Sequence, residues 1–246
     1  MKFLLRIILI LFFLIPGKEN LVYAQVKKAD IYPENKVRYD STYGITMYEK
    51  LNFALGGDSV RYDKKGYSAN GWYEDYYENG KLLHKGYYAE GTLKTYQNFY
   101  ANGQMERMFK SDYLKATMIN YYKNGQVRSE IVYSNGNVIK ETDYYENGKI
   151  EFEEEFDKNG RFIKSNFYEE DGKPTSTLVL MNPKKYIYEK KEYHENGKLK
   201  EEGTVVYFSK AGDYQKDGKW LVYDETGKLI AEQLFVKGNL ASEKKQ

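Results

Sequence analysis

A short motif recurs along this chain: an aromatic residue, two further residues, then Asn-Gly, a polar residue and an apolar one. The clearest copies occupy residues 76–82, 99–105, 121–127, 144–150 and 193–199. Of the 20 glycines that follow residue 24, 14 have an aromatic residue four positions earlier, far more than a 17% aromatic content would give by chance. Repetition of this kind is the signature of a repeat fold, in which each unit packs against its neighbours.

The spacing of the motif predicts a sheet of consecutive β-hairpins. Asn-Gly between aromatic or β-branched segments is a strong hairpin signal, because the turn requires positive φ. Most glycine-to-glycine steps are 11 or 12 residues, which leaves about eight residues for each strand, close to the usual length. We therefore expect an all-β fold, an elongated single-layer antiparallel meander. The glycines assigned to its turns are Gly80, Gly91, Gly103, Gly125, Gly136, Gly148, Gly160, Gly172, Gly197, Gly218 and Gly227.

The motif also predicts the register of the hairpins. The aromatic residue four before the glycine and the apolar residue two after it face each other if the loop has three residues. Such a loop is a type I turn closed by a left-handed glycine; the alternative is a two-residue loop. The 11-residue steps that end at Gly91 and Gly136 would place these positions on opposite faces, so they need a bulge or a different loop. Ser111-Asp112 and Asn182-Pro183 supply turn residues where a glycine is missing.

Two segments carry a family resemblance: Asn79-Gly80-Lys81-Leu82 and, above all, residues 217–229. They resemble the bacterial variant of the MORN repeat, which is also found in proteins labelled YwqK-family antitoxins. The resemblance covers roughly residues 59–240. It implies elongated sheets of hairpins that serve as non-catalytic scaffolds or interaction surfaces, and the antitoxin label implies a toxin partner. Residues 25–58 match no repeat and are expected to form an irregular cap, and residues 241–246 a polar tail.

The N-terminus reads as an export signal. Lys2 and Arg6 precede an apolar run, residues 7–15, which Pro16 ends. A basic start, a short apolar centre and a small-residue exit describe a secretory signal peptide. We expect cleavage between Ala24 and Gln25, no integral membrane span afterwards, and a periplasmic, secreted or cell-surface location. The alternative is an uncleaved membrane anchor, but the apolar run is shorter than the roughly 20 residues that span a bilayer.

Charge and composition exclude several classes of function. The net charge is +2, and residues 1–24 alone carry +2, so the expected mature protein is neutral. Binding of nucleic acid, which depends on neutralising phosphates, is therefore not expected. The chain lacks cysteine, and its two histidines, His84 and His194, are too far apart in a meander to share a metal. We expect no enzymatic activity and no cofactor, with a glycan hydrolase as the enzymatic alternative.

One row of residues stands out as a candidate binding site. Tyr77, Tyr100, Tyr122 and Tyr145 each stand three residues before a turn glycine and should form a line on one face at one end of the sheet. Tyrosine suits such a surface because it offers a flat ring and a hydroxyl; the alternative is packing between strands. We expect a scaffold that binds a protein or a cell-envelope component. The alternatives are a toxin-neutralising immunity protein and a carbohydrate-binding wall repeat.

Overall fold

The computed structural model describes residues 27–32, 38–40, 45–47, 61–63, 65–112, 114–209 and 212–246. These residues form strands and turns, and none of them lies in a helix long and apolar enough to cross a bilayer. The strands are β1 Lys27–Tyr32, β2 Arg38–Asp40, β3 Ile45–Met47, β4 Gly71–Tyr77, β5 Leu82–Ala89, β6 Thr92–Phe99, β7 Met105–Asp112, β8 Lys115–Tyr121, β9 Val127–Ser134, β10 Asn137–Tyr144, β11 Ile150–Phe156, β12 Phe162–Tyr168, β13 Pro174–Asn182, β14 Ile187–Tyr193, β15 Leu199–Phe208, β16 Asp213–Tyr223, β17 Leu229–Val236 and β18 Asn239–Lys245.

Strands β4 to β18 form one open antiparallel sheet in which each strand pairs with the next in sequence. The predicted single-layer meander of hairpins is thereby confirmed. Strand β1 adds to the β4 edge in parallel, and β2 with β3 forms a separate hairpin. The export signal and most of the expected cap lie outside the described residues. Residues 241–245 of the expected polar tail lie in β18, which pairs with β17 up to Lys245.

The 12-residue steps end in three-residue loops. The turn at Gly80 has the same form: Gly80 N–H donates to the Tyr77 carbonyl at 2.9 Å, and Tyr77 N–H donates to the Lys81 carbonyl at 2.9 Å. Gly80 has φ of 80°, as the left-handed position requires. Tyr76 is thus placed directly opposite Leu82, the register that the motif predicts.

The 11-residue steps use a different loop and a bulge together. Asn135 and Gly136 have φ of 51° and 79°, so both central residues are left-handed, as in a type I′ turn of two residues. In the strand that follows, Val138 pairs with Tyr133 and Lys140 with Val132, which leaves Ile139 as an unpaired extra residue. The shorter loop accounts for the missing residue, and the bulge restores the alternation of faces.

Gly218 is a correction to the predicted turns. It lies inside β16, not in a turn, and has φ of 78°. On one side of it Asp217 pairs with Thr204, and beyond it Trp220 pairs with Gly203, so the partner strand has no residue to match Gly218 and Lys219. Tyr214 stands four residues before Gly218, as in the motif, and this spacing is the reason for the wrong prediction. Because the β15–β16 hairpin is long, Gly218 lies at a bulge within the strand instead of in a turn.

Most of the buried side chains lie on one face of the sheet, here called the core face; the other is the reverse face. Paired residues share a face and neighbours along a strand alternate. Two apolar clusters fill the core face. The first consists of Ala69, Tyr73, Tyr77, Leu83, Tyr88, Leu93, Tyr96 and Phe109. The second consists of Tyr188, Val205 and Trp220, packed by Phe162, Leu178, Leu180, Tyr207, Tyr214 and Phe235.

Candidate functional site

Every second turn of the meander lies at the same end of the sheet, here called the Asn-Gly end. Neighbouring turns in this row are two strands apart, or about 10 Å. The row brings together the four tyrosines of the predicted site. Its turn glycines are Gly80, Gly103, Gly125, Gly148, Gly172, Gly197 and Gly227.

The four tyrosines form a ladder from turn to turn. The Tyr77 hydroxyl donates to the Phe99 carbonyl at 2.7 Å, and the Tyr100 hydroxyl to the Tyr121 carbonyl at 2.7 Å. The next two rungs have the same form, from Tyr122 to the Tyr144 carbonyl at 2.6 Å and from Tyr145 to the Tyr168 carbonyl at 2.7 Å. Each acceptor is the aromatic residue four before the next turn glycine. Each rung therefore ties a turn to the following hairpin.

The ladder changes in the later repeats, where the tyrosine position holds other residues. His194 Nε2 lies 3.0 Å from the Tyr223 carbonyl and replaces the hydroxyl donor. Asp224 instead accepts hydrogen bonds from the backbone of its own loop, at Thr226 N and Lys228 N. A carboxylate cannot donate to a carbonyl, and the turn of Asp224 is the last of the row, so the Asp224 side chain forms no rung.

Asparagine and lysine of the motif add further rungs that the sequence analysis missed. Asn147 Nδ2 donates to the Glu170 carbonyl at 2.9 Å, and Lys149 Nζ to the Asp171 carbonyl at 2.6 Å. Asn196 Nδ2 and Lys198 Nζ make equivalent bonds to the turn that contains Gly227. The recurrence of Asn and Lys at fixed offsets was the available signal, because a donor repeated at every turn can meet a carbonyl repeated at every turn.

The aromatic and apolar positions of the motif form a second feature, on the reverse face. Because each aromatic residue pairs with the apolar residue across its turn, these side chains make a continuous row along the Asn-Gly end, here called the aromatic stripe. All of its members are partly exposed. They are Tyr76, Leu82, Phe99, Met105, Tyr121, Val127, Tyr144, Ile150, Tyr168, Pro174, Tyr193, Leu199, Tyr223 and Leu229.

Tyrosine hydroxyls of the stripe bind carboxylates on the same face. Tyr168 donates to Glu153 Oε1 at 2.9 Å, and Tyr223 donates to Glu202 at 3.0 Å. Tyr76 makes the same kind of bond to Glu74; that bond, together with burial, raises the pKa of Tyr76 to about 12. The hydroxyls thus stay protonated donors at neutral pH.

Lysines neutralise these carboxylates. Lys164 Nζ lies 2.7 Å from Glu153, Lys85 Nζ lies 3.0 Å from Glu74, and Lys191 Nζ lies 3.3 Å from Glu202. The border of the stripe is therefore polar but balanced in charge. A partner would meet a hydrophobic centre and a polar rim, the usual anatomy of an interface.

The other histidine lies in a buried polar network on the core face. Complete burial lowers the pKa of His84 to about 4, so the ring is neutral at physiological pH. Its nitrogens lie 2.7 Å from Asn98 Oδ1 and 3.0 Å from the Tyr88 hydroxyl. Asp75 accepts two hydrogen bonds from Arg61, at 2.7 and 2.8 Å. Among the described residues, no group of three or more His, Cys, Asp or Glu could hold a metal ion.

Comparisons with known proteins bear mainly on the repeat. None of the curated proteins matches the chain. Among solved structures, a mutant of S. aureus TarM in complex with fondaparinux, α-GlcNAc-glycerol and UDP is 12% identical, with a TM-score of 0.27. A second crystal structure of TarM is 13% identical, also with a TM-score of 0.27. Each likeness covers 35% of this chain and 18% of the other.

The MORN repeat variant matches five stretches, residues 69–90, 116–135, 137–158, 189–207 and 216–237. Each stretch contains one hairpin whose turn lies at the Asn-Gly end. The hairpins around Gly103 and Gly172 have the same register without a match. The match describes the repeat and not the YwqK-family antitoxins, so that narrower assignment stays a prediction. By its repeats and its hairpin sheet, the chain belongs to the MORN-repeat proteins of the variant type.

Proposed function

We propose that this protein is a non-catalytic binding scaffold and that the aromatic stripe is its contact surface. The observation that carries the proposal is the continuity of the stripe: aromatic and aliphatic side chains follow one another across seven hairpins, all partly exposed on one face. Contiguous exposed apolar surface marks interaction sites more often than single exposed residues do.

The support beneath the stripe favours a preformed site. Tyrosine, asparagine and lysine side chains tie neighbouring turns together at the end of the sheet where the stripe lies. A surface held in this way loses little conformational freedom on binding. Its chemistry fits a partner that presents apolar or aromatic groups flanked by polar ones, such as a protein segment or a cell-envelope polymer.

The tyrosine ladder is the weaker candidate surface. Its four hydroxyls already donate to backbone carbonyls, and Tyr77 is only 4% exposed. The rings of Tyr100, Tyr122 and Tyr145 are partly exposed, so their role in binding stays a prediction that the variants below test.

Site-specific photocrosslinking tests the stripe. Benzoylphenylalanine placed at Val127 or Ile150 should capture one discrete species when the protein is incubated with the envelope fraction of its host. The matched controls are Phe167 and Leu240, exposed apolar residues on the core face. Equal capture from the control positions would contradict the stripe as the contact surface. The identity of the captured species then decides between an envelope component and the toxin that the immunity alternative requires.

Export is part of the same proposal, supported by the basic start and short apolar run of residues 1–24. The mature protein should begin at Gln25 and lie in the periplasm, at the cell surface or in the medium. Intact-mass measurement of protein from its own host checks the cleavage. A membrane-bound form that retains Met1 would contradict it.

A further inference from the structure

The chain holds eight Asn-Gly pairs, and their asparagine side chains fall into two groups. Asn-Gly is chemically labile: the glycine nitrogen attacks the asparagine Cγ and closes a succinimide ring, and ammonia leaves with Nδ2. Water then opens the ring to aspartate or isoaspartate. Glycine favours the attack because it has no Cβ to hinder it. The eight asparagines are Asn70, Asn79, Asn102, Asn124, Asn135, Asn147, Asn159 and Asn196.

Hydrogen bonds hold the first group. The side-chain oxygen of Asn147 accepts from Lys149 N at 2.9 Å while its Nδ2 donates to the Glu170 carbonyl at 2.9 Å. Asn196 is held in the same two directions, by Lys198 N and the Glu225 carbonyl. A carboxamide fixed at both ends cannot rotate freely to present Cγ to the glycine nitrogen.

Hydrogen bonds also hold the side chains of the other four asparagines in this group. Asn70 accepts from Glu90 N at 2.9 Å and donates to the Ser68 carbonyl at 3.0 Å. The side chains of Asn79, Asn102 and Asn124 each accept a hydrogen bond from the backbone two residues on. All six asparagines of this group therefore have an anchored side-chain oxygen.

Asn135 and Asn159 form the second group. Both side chains are exposed, and neither makes a hydrogen bond to another side chain or backbone group within the described residues. In the loop of Asn159, the carboxylate of Asp157 takes over the role of the anchored oxygen and accepts from Asn159 N and Arg161 N. Although each precedes a glycine, both residues lie in turns at the other end of the sheet from the tyrosine ladder.

We propose that Asn135 and Asn159 are the sites at which this protein deamidates spontaneously, and that anchoring by the repeat protects the other six Asn-Gly pairs. The reaction needs only water. Its aspartate product keeps the turn, because Asp-Gly also forms type I′ turns. Its isoaspartate product adds one backbone atom to a two-residue loop whose Asn135 N–H donates to the Leu114 carbonyl at 2.8 Å. Ageing therefore acts on one end of the sheet.

Peptide mapping by mass spectrometry tests the proposal on the full-length mature protein, aged in mildly alkaline buffer. The peptides with Asn135 and Asn159 should convert to the acid forms while those with Asn147 and Asn196 keep their amide. A parallel incubation in concentrated urea supplies the control, because all eight pairs share the same following glycine and should react at similar rates once unfolded. Conversion of Asn147 as fast as Asn135 in the folded protein overturns the proposal. The proposal is also overturned if the eight pairs keep the same order of deamidation rates in urea, because the local sequence and not the fold would then set that order.

Discussion

The hydroxyl of Tyr145 donates a 2.7 Å hydrogen bond to the backbone carbonyl of Tyr168, and so joins one hairpin of the sheet to the next. Replacing Tyr145 by Phe keeps the ring and removes this bond. We expect a loss of about 0.5–1.5 kcal/mol in the free energy of unfolding, the usual net worth of one hydrogen bond. Urea titration measures it. The control is Tyr87→Phe, a change at an exposed tyrosine on the reverse face, which should cost little; equal losses for the two variants would contradict a specific role for the ladder.

A double variant tests whether the ladder also binds the partner. Tyr100→Ser with Tyr122→Ser removes two adjacent rungs, which end on the carbonyls of Tyr121 and Tyr144. We expect a large drop in melting temperature, because two aromatic rings and two hydrogen bonds are lost together. An unchanged melting temperature with lost partner capture would instead identify the tyrosine row as the binding surface and contradict the structural assignment.

The turn glycines provide a test of backbone strain. Gly148 has φ of 81°, a conformation that a β-branched side chain resists. Gly148→Val should cost about 1–3 kcal/mol of stability. Gly148→Asn is the matched control, because asparagine tolerates the left-handed region better than other residues with a Cβ. Thermal unfolding measures both variants. If the melting temperature of Gly148→Asn is as low as that of Gly148→Val, the positive φ is not the cause of the destabilisation.

The hairpins could be predicted from sequence because their information is local. The pairing of Tyr144 with Ile150 follows from six residues around one glycine. The partners of the ladder could not be predicted in the same way. The acceptor of Tyr145 lies 23 residues further on, and choosing it requires the register of the intervening hairpin. Side-chain hydrogen bonds across two strands depend on geometry that a motif does not contain.

The burial of polar residues on the core face could not be predicted from the sequence either. Asp75, His84 and Asn98 are fully buried although each occupies a position that reads as a solvated one in an alternating strand. They lie on three successive strands in direct register, so each can meet a polar neighbour. Hydrogen bonds within the protein offset the cost of burying such groups, and they depend on the assembled sheet; Asn98 Oδ1 has one to His84, whereas Asn98 Nδ2 has none among the described residues.

Gly203 is expected to tolerate no side chain. A Cβ at this position would lie 2.5 Å from the Trp220 ring, whose Nε1 donates to the Thr204 carbonyl at 3.0 Å. Gly203→Ala should therefore destabilise the second cluster by about 1–3 kcal/mol, the usual cost of overpacking. Chemical denaturation checks the value. In a Trp220→Ala background the same change should cost much less; an equal cost there would show that the indole is not the obstacle.

Two carboxylates on the core face predict a pH dependence of stability. Glu141 pairs directly with Glu154 across β10 and β11. Burial, with the nearby charge of Asp143, raises the pKa of both above the ordinary 4.5. For a carboxyl with a raised pKa in the fold, the contribution to stability is complete below the ordinary value and is lost as pH rises through the raised one.

Glu154→Gln, which cannot ionise, should therefore gain stability relative to the parent as pH rises from below 4.5 to neutral. Titrating groups that do not meet Glu154 are the same in both proteins and cancel in the difference between their free energies of unfolding. Glu141 does not cancel: the Glu154 charge helps to raise its pKa, so removing that charge adds to the gain in the same direction. Glu155→Gln is the control, because it makes the same chemical change on the reverse face, at a carboxylate 3.8 Å from Lys140. A difference between parent and Glu154→Gln that stays constant with pH would contradict the prediction, because it would mean that the Glu154 carboxyl ionises as readily in the sheet as in the unfolded chain.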